Sequence, residues 1–268
     1  MDNRPIGIFD SGLGGLTCVK KVMELLPGEN IIYFGDTSRV PYGSRSSDTI
    51  VRYTGQNIRF LKTFDIKLIV IACGTASSAA LPMIRDEFDT EIIGVLNPAC
   101  HAAARATRNG KIGVIGTQGT VRSGKYAETL KGIHPAFEVY SKACPMFVPL
   151  VENGYTQGEV TSLIAEEYLQ ELKDKEIDTL ILGCTHYPLL KETIGRIMGE
   201  SVTLIDAGAE TAVYAKERLA KSDMLAEGNQ GKIQYYVSDT VDGFCDIAQV
   251  FLQKKIEGNI HRIDIEAY

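Results

Sequence analysis

"LIVIACGTAS", Leu68–Ser77, returns 111 residues further along the chain as "TLILGCTHYP", Thr179–Pro188. Each opens as an aliphatic run and ends on a cysteine, followed by a stretch that suits a helix. An apolar run without alternation is what a strand buried on both faces requires, and such strands belong to parallel sheets covered by helices. Two further pairs repeat in the same order. "PIGIFDSGLGGL", Pro5–Leu16, resembles "KIGVIGTQGTV", Lys111–Val121, at a displacement of 106 residues, and "TEIIGVL", Thr90–Leu96, resembles "SVTLIDA", Ser201–Ala207. Three matches at nearly one offset predict a duplication, with a period far longer than that of a solenoid.

"NIIYFGD", Asn30–Asp36, reads as one more buried strand. Between the strands, Val160, Leu163, Ile164, Tyr168 and Leu172 fall on one helical face. Val241, Phe244, Cys245, Ala248, Phe251 and Leu252 do the same near the end, with Ser238 or Asp239 as the expected N-cap. Strands alternating with helices mean α/β. The expected architecture is two similar α/β domains with mainly parallel sheets, related by a pseudo-twofold, with the active site in the cleft between them. Open α/β sheets bind ligands at the carboxyl ends of their strands. A pseudo-twofold would set Cys73 and Cys184 opposite one another there.

Composition narrows the function classes. With 44% apolar and 23% charged residues, the chain of 268 residues is of ordinary globular type. Its net charge of −6 and lack of a Lys/Arg-dense segment argue against a nucleic-acid partner. No uncharged apolar stretch approaches the roughly 18–20 residues that span a bilayer, and no secretory leader opens the sequence. No membrane association and a cytoplasmic location are the expectations. The six cysteines, at 18, 73, 100, 144, 184 and 245, form no C-x-x-C pair. They suit neither a zinc module nor a disulfide scaffold.

Cys73 and Cys184 both sit at strand-to-helix turns, where backbone N–H groups and the helix dipole favour an anion. A thiol so placed is expected to have a lowered pKa, and the thiolate is the useful base or nucleophile. A single cytosolic cysteine is usually a small inert hydrophobe; two at equivalent points of a repeat are not so easily dismissed. His186 lies two residues after Cys184, so imidazole and thiol can address one ligand. "FDSGLGGL", Phe9–Leu16, is a turn able to offer N–H groups to a carboxylate or phosphate. It is not a dinucleotide fingerprint, because Thr17 stands where the third glycine would be. Asp10 ends the first strand and Asp36, Tyr42 and Gly43 follow the second, while Glu152 sits beside Asn153-Gly154. These residues leave open a two-base isomerase, a Cys184–His186 hydrolase and a two-lobed amino-acid binding module.

"GIFDSGLGGL", "YFGDTSRVPYG", "CGTAS", "GTQGTVRSGKY", "PLVENG" and "LGCTHYPLL", in this order and spacing, closely resemble bacterial glutamate racemase, from about residue 5 to about residue 255. The resemblance implies a racemase that interconverts L- and D-glutamate for peptidoglycan synthesis with no pyridoxal phosphate and no metal. It implies a discontinuous domain, residues 1–97 and 207–268, carrying Cys73, around a central domain, residues 98–206, carrying Cys184. By the same analogy, Cys73 takes the α-proton of D-glutamate and Cys184 that of L-glutamate. Asp10 assists Cys73, and His186, oriented by Glu152, assists Cys184.

Substrate contacts are expected by that analogy from Asp10, Ser11, Pro41, Tyr42, Gly43 and Gly74, and from Thr75, Thr117, Thr120, Thr185 and His186. The family usually carries Asn after the first cysteine; this chain has Gly74. A homodimer is the expected assembly. Inverting an α-carbon needs one group to remove a proton and another to return it on the opposite face, and two thiols across a cleft are a minimal apparatus for that.

Overall fold

The computed structural model describes residues 1–242, 244–253, 256 and 260–268. Its strands are β1 (Ile6–Asp10), β2 (Ile31–Gly35), β3 (Leu68–Ile71), β4 (Ile92–Gly94), β5 (Lys111–Gly116), β6 (Glu138–Ala143), β7 (Thr179–Leu182), β8 (Thr203–Asp206), β9 (Ile233–Val237) and β10 (Ile260–Arg262). They form a six-stranded sheet, ordered β10-β9-β2-β1-β3-β4, and a four-stranded sheet, ordered β6-β5-β7-β8. Every pairing is parallel.

The duplication is visible in these orders. The run β2-β1-β3-β4 of one sheet corresponds to β6-β5-β7-β8 of the other. Ile6 lies opposite Leu68 where β1 meets β3, and Ile112 lies opposite Thr179 where β5 meets β7. The cysteine-ending strands therefore hold equivalent inner positions. Every residue of β1, β2, β3 and β7 is buried, which is why these strands read as unbroken apolar runs. One apolar cluster joins Ile8 and Val70 of the larger sheet to Ile115 and Leu182 of the smaller, so the two sheets share a core.

Three strands escape the apolar-run reading. β6, "EVYSKA", is an edge strand with no fully buried residue, so burial imposes no apolar pattern on it. β10 is a short edge strand, and β9 has only Tyr235 and Val237 buried.

Two helical expectations need correction. The helix Glu159–Asp174 buries Thr161, Ala165, Leu169 and Leu172, whereas Val160 and Leu163 are 54% and 60% exposed. Small Thr161 and Ala165 let the helix approach its neighbours, which turns the larger aliphatic residues outward. The helix Phe244–Leu252 buries Phe244, Ala248, Phe251 and Leu252, but Val241 precedes it and is exposed, as is Cys245. Ser238 lies six residues before that helix, and its hydroxyl donates to Asp36 Oδ1 at 2.9 Å.

Candidate active site

The carboxyl ends of β1, β3, β5 and β7 converge on a cavity of about 270 Å³, just below the roughly 300 Å³ at which drug-sized pockets begin. Cys73 and Cys184 both line it, with Ser11, Thr75, Thr117 and Thr185 between them. Pro41, Tyr42, Gly43, Gly74, Glu152 and His186 complete the expected residues on its wall. No Lys or Arg lines it among the described residues. An anion there would meet hydroxyls, backbone N–H groups and the imidazole.

Cys73 is the N-cap of the helix Gly74–Ala79, whose Ala76 N–H donates to its Sγ at 3.5 Å. Ser11 Oγ lies 3.6 Å from the same sulfur. These contacts favour the thiolate, as the sequence led one to expect, but burial outweighs them. With the Asp10 carboxylate nearby, it pushes the Cys73 thiol up to about 12. The expected lowering is thus overturned at Cys73, where burial outweighs the N–H and hydroxyl contacts.

Cys184 has a different neighbour. His186 Nδ1 lies 3.8 Å from its Sγ, and His186 Nε2 lies 3.0 Å from Glu152 Oε1. The edge of the Phe251 ring closes over the imidazole, the centroids being 5.3 Å apart at 88°. Burial alone would discharge the histidine, but the Cys184 sulfur and Glu152, with Asp10 beyond, carry its pKa up to about 10. One thiol therefore stands beside a carboxyl group and the other beside a cation.

Three expected contact residues lie otherwise. Asp10 is buried behind the cavity wall, not on it. Its Oδ2 accepts the Gly12 N–H at 3.1 Å, and its Oδ1 has no partner among the described residues. Burial raises the Asp10 pKa, partly offset by His186 and by the N–H groups of Gly15, Gly12 and Ser11. Thr120 is also behind the wall, with its hydroxyl 3.3 Å from that of Thr75 and 3.1 Å from that of Thr117. Thr75 and Thr117 hydroxyls stand 2.9 Å apart. Tyr42 borders the cavity, but its hydroxyl donates to Asp36 and accepts from Asn57 Nδ2 at 3.0 Å. Arg39 Nη2 grips the same carboxylate at 2.7 Å and also donates to Asn57 Oδ1, while its Nη1 donates to Gln56 Oε1. The glycine turn is likewise not open: Gly12 N–H is taken by Asp10, and Gly14 packs beneath Thr185 and His186.

Pro145, Val148 and Pro149 also line the cavity, and of these only Pro149 lies in a motif named above, "PLVENG". They follow β6, so the signal that would have found them was recognition of β6 as the counterpart of β2. Among the described residues no group of three His, Cys, Asp or Glu side chains is arranged to hold a metal ion. No helix there is long and apolar enough to cross a membrane.

Known proteins are similar to this chain in sequence and fold. The family model "Asp/Glu/Hydantoin racemase" matches residues 6–215. The glutamate racemase of Geobacter metallireducens is 47% identical over 265 residues, covering 98% of each chain. Glutamate racemase isoform RacE1 from Bacillus anthracis superposes with a TM-score of 0.94 at 37% identity, over 98% of this chain and 99% of that one. The glutamate racemase of Francisella tularensis, solved in complex with D-glutamate, superposes with a TM-score of 0.93 at 37% identity over the whole of both chains.

Proposed function

The chain belongs to the Asp/Glu/hydantoin racemase family and is an amino-acid racemase that interconverts L- and D-glutamate, and from that premise we propose that Cys73 and Cys184 are its two bases. The observation that carries this reading is the pair of buried thiols, at equivalent turns of two repeats, on the wall of one cavity.

In the L-to-D direction, Cys184 as thiolate takes the α-proton, while the Cys73 thiol gives its own proton to the opposite face of the α-carbon. The bond broken is Cα–H on the Cys184 side, and the bond formed is Cα–H on the Cys73 side. The electron pair left on carbon is held meanwhile by the substrate's α-carboxylate. One turnover leaves Cys184 protonated and Cys73 as thiolate, which is the starting state for the D-to-L direction. The imidazolium of His186, steadied by Glu152, favours negative charge on the sulfur 3.8 Å away. At the other thiol, burial and Asp10 keep the proton on sulfur until carbon needs it.

Ser11, Thr75, Thr117 and Thr185 hydroxyls, with N–H groups at the two turns, bind the carboxylates in this reading. Both cysteines are nearly buried, at 5% and 8% exposure, which limits their own contact with water. Asp10 acts on Cys73 from behind the wall, and Thr120 acts by fixing Thr75 and Thr117.

The same reading divides the chain into residues 1–97 with 207–268, around residues 98–206, in keeping with the membership of the two sheets. It requires neither pyridoxal phosphate nor metal, so activity survives EDTA and hydroxylamine. It places the enzyme in the cytoplasm, where D-glutamate supplies peptidoglycan synthesis. A homodimer is proposed as the assembly, in keeping with the exposed Tyr155, Val160 and Leu163, and light scattering of the purified protein tests it. The central test is polarimetry or circular dichroism with each enantiomer of glutamate and of aspartate and no added cofactor. Loss of optical activity with either glutamate enantiomer supports the reading, and none with either sinks it.

A further inference from the structure

The turn after β1 touches the opposite base. Thr17 lies in the first turn of the helix Leu16–Leu25, yet its hydroxyl lies 2.9 Å from the carbonyl oxygen of Thr185, 168 residues away and beside Cys184. The hydroxyl is also 2.9 Å from Gly14 O, so its one proton is shared between the two carbonyls. Gly14 O also receives the Thr17 N–H at 3.0 Å, whereas the Thr185 carbonyl meets no other donor among the described residues.

Gly14 supplies the second contact. A Cβ there would stand 2.4 Å from Thr185 Oγ1, 2.5 Å from His186 Cε1 and 2.6 Å from His186 Nδ1. The bare Cα is thus the seat of the imidazole, on the nitrogen that faces Cys184. Neither Gly14 nor Thr17 lines the cavity, so neither touches substrate.

We propose that Thr17 and Gly14, which follow the first strand of the sheet carrying Cys73, are positioning residues for the Cys184–Thr185–His186 turn of the other sheet. The proposal rests on Cys184 being one of two bases. A glycine turn that looks like an anion cradle is instead a latch between the repeats. It makes the geometry of the second base depend on the first repeat, and displacements of about 1 Å at reacting groups cost roughly 10²-fold in rate.

The test compares Thr17→Val, which keeps the shape and loses the hydroxyl, with Thr17→Ser, which keeps the hydroxyl. Racemisation by the unaltered chain is measured first, and its absence overturns the functional reading rather than the latch. Thr17→Val is expected to lower kcat/KM about tenfold in both directions, since two enantiomers are equal in free energy and the two values must fall together.

Isotope effects locate the slowed step. With α-deuterated L-glutamate, whose deuteron goes to Cys184, the effect on kcat/KM should rise. With α-deuterated D-glutamate, whose deuteron goes to Cys73, it should fall towards one. Thr17→Ser should restore both. Isotope effects that stay unchanged or move in the same sense, or a serine variant as impaired as the valine one, overturn the latch. If Thr17→Val does not fold, Thr17→Ala removes the hydroxyl without added bulk and is read the same way.

Discussion

Gly74 meets the carbonyl of Gly183 so closely that a Cβ on it would stand 2.2 Å from that oxygen. These two residues adjoin the two cysteines, so bare backbone sets how near the two turns come. Gly74→Ala or Gly74→Asn must push the turns apart by about 1 Å, and kcat is expected to fall by roughly 10²-fold. Steady-state kinetics beside a melting curve checks this, and a folded Gly74→Asn variant with unaltered kcat would refute it.

Loss of either thiol should be severe and mutual. Cys73→Ser and Cys184→Ser each remove a positioned acid–base group, a loss on the order of 10²–10⁴-fold in kcat. Calorimetric binding of glutamate should persist in both. A Cys73 variant that still racemises at the full rate would exclude the two-base reading.

His186 is protonated below about 10, so activity in the L-to-D direction should decline as pH rises through that value. Its folded-state pKa is raised from 6.5, so its contribution to stability is whole below about 6.5 and lost as pH rises through about 10. The difference in melting temperature between the unaltered chain and His186→Gln, measured from pH 6 to about 10.5, should shrink over that window.

Glu152→Gln removes the carboxylate 3.0 Å from His186 Nε2. The alkaline limb of the pH–rate profile should move to lower pH, since a neutral amide holds the imidazolium less well. A limb that stays in place would mean that Glu152 does not govern the histidine.

Tyr42→Phe separates a structural hydroxyl from a substrate contact. It breaks the bonds to Asp36 and Asn57 inside a buried network. Unfolding free energy should drop by about 1–2 kcal/mol, with KM for glutamate little changed. A large rise in KM with unaltered stability would show that the hydroxyl reaches substrate.

The strands that decide the fold were legible because burial on both faces favours apolar residues: Leu68–Ile71 is apolar throughout, and so is the other strand after Thr179. β6 and β10 were not, because an edge strand answers to solvent as much as to the core. The helix Glu159–Asp174 was legible as a helix but not in its rotation, since small Thr161 and Ala165 face inward and bulky Val160 and Leu163 do not. Which helix face is buried depends on what it packs against.

The sequence by itself determined the repeat, the parallel α/β class and the pairing of Cys73 with Cys184, because each is a local pattern written twice. Tertiary structure alone decided what surrounds each thiol. Burial beside Asp10 holds a proton on Cys73, and Glu152, 34 residues away, steadies the cation beside Cys184. It alone turned the Tyr42 hydroxyl to Asp36 and brought Thr17 onto the Thr185 carbonyl. Desolvation and cross-chain hydrogen bonds depend on distances in space, and no spacing along the chain records them.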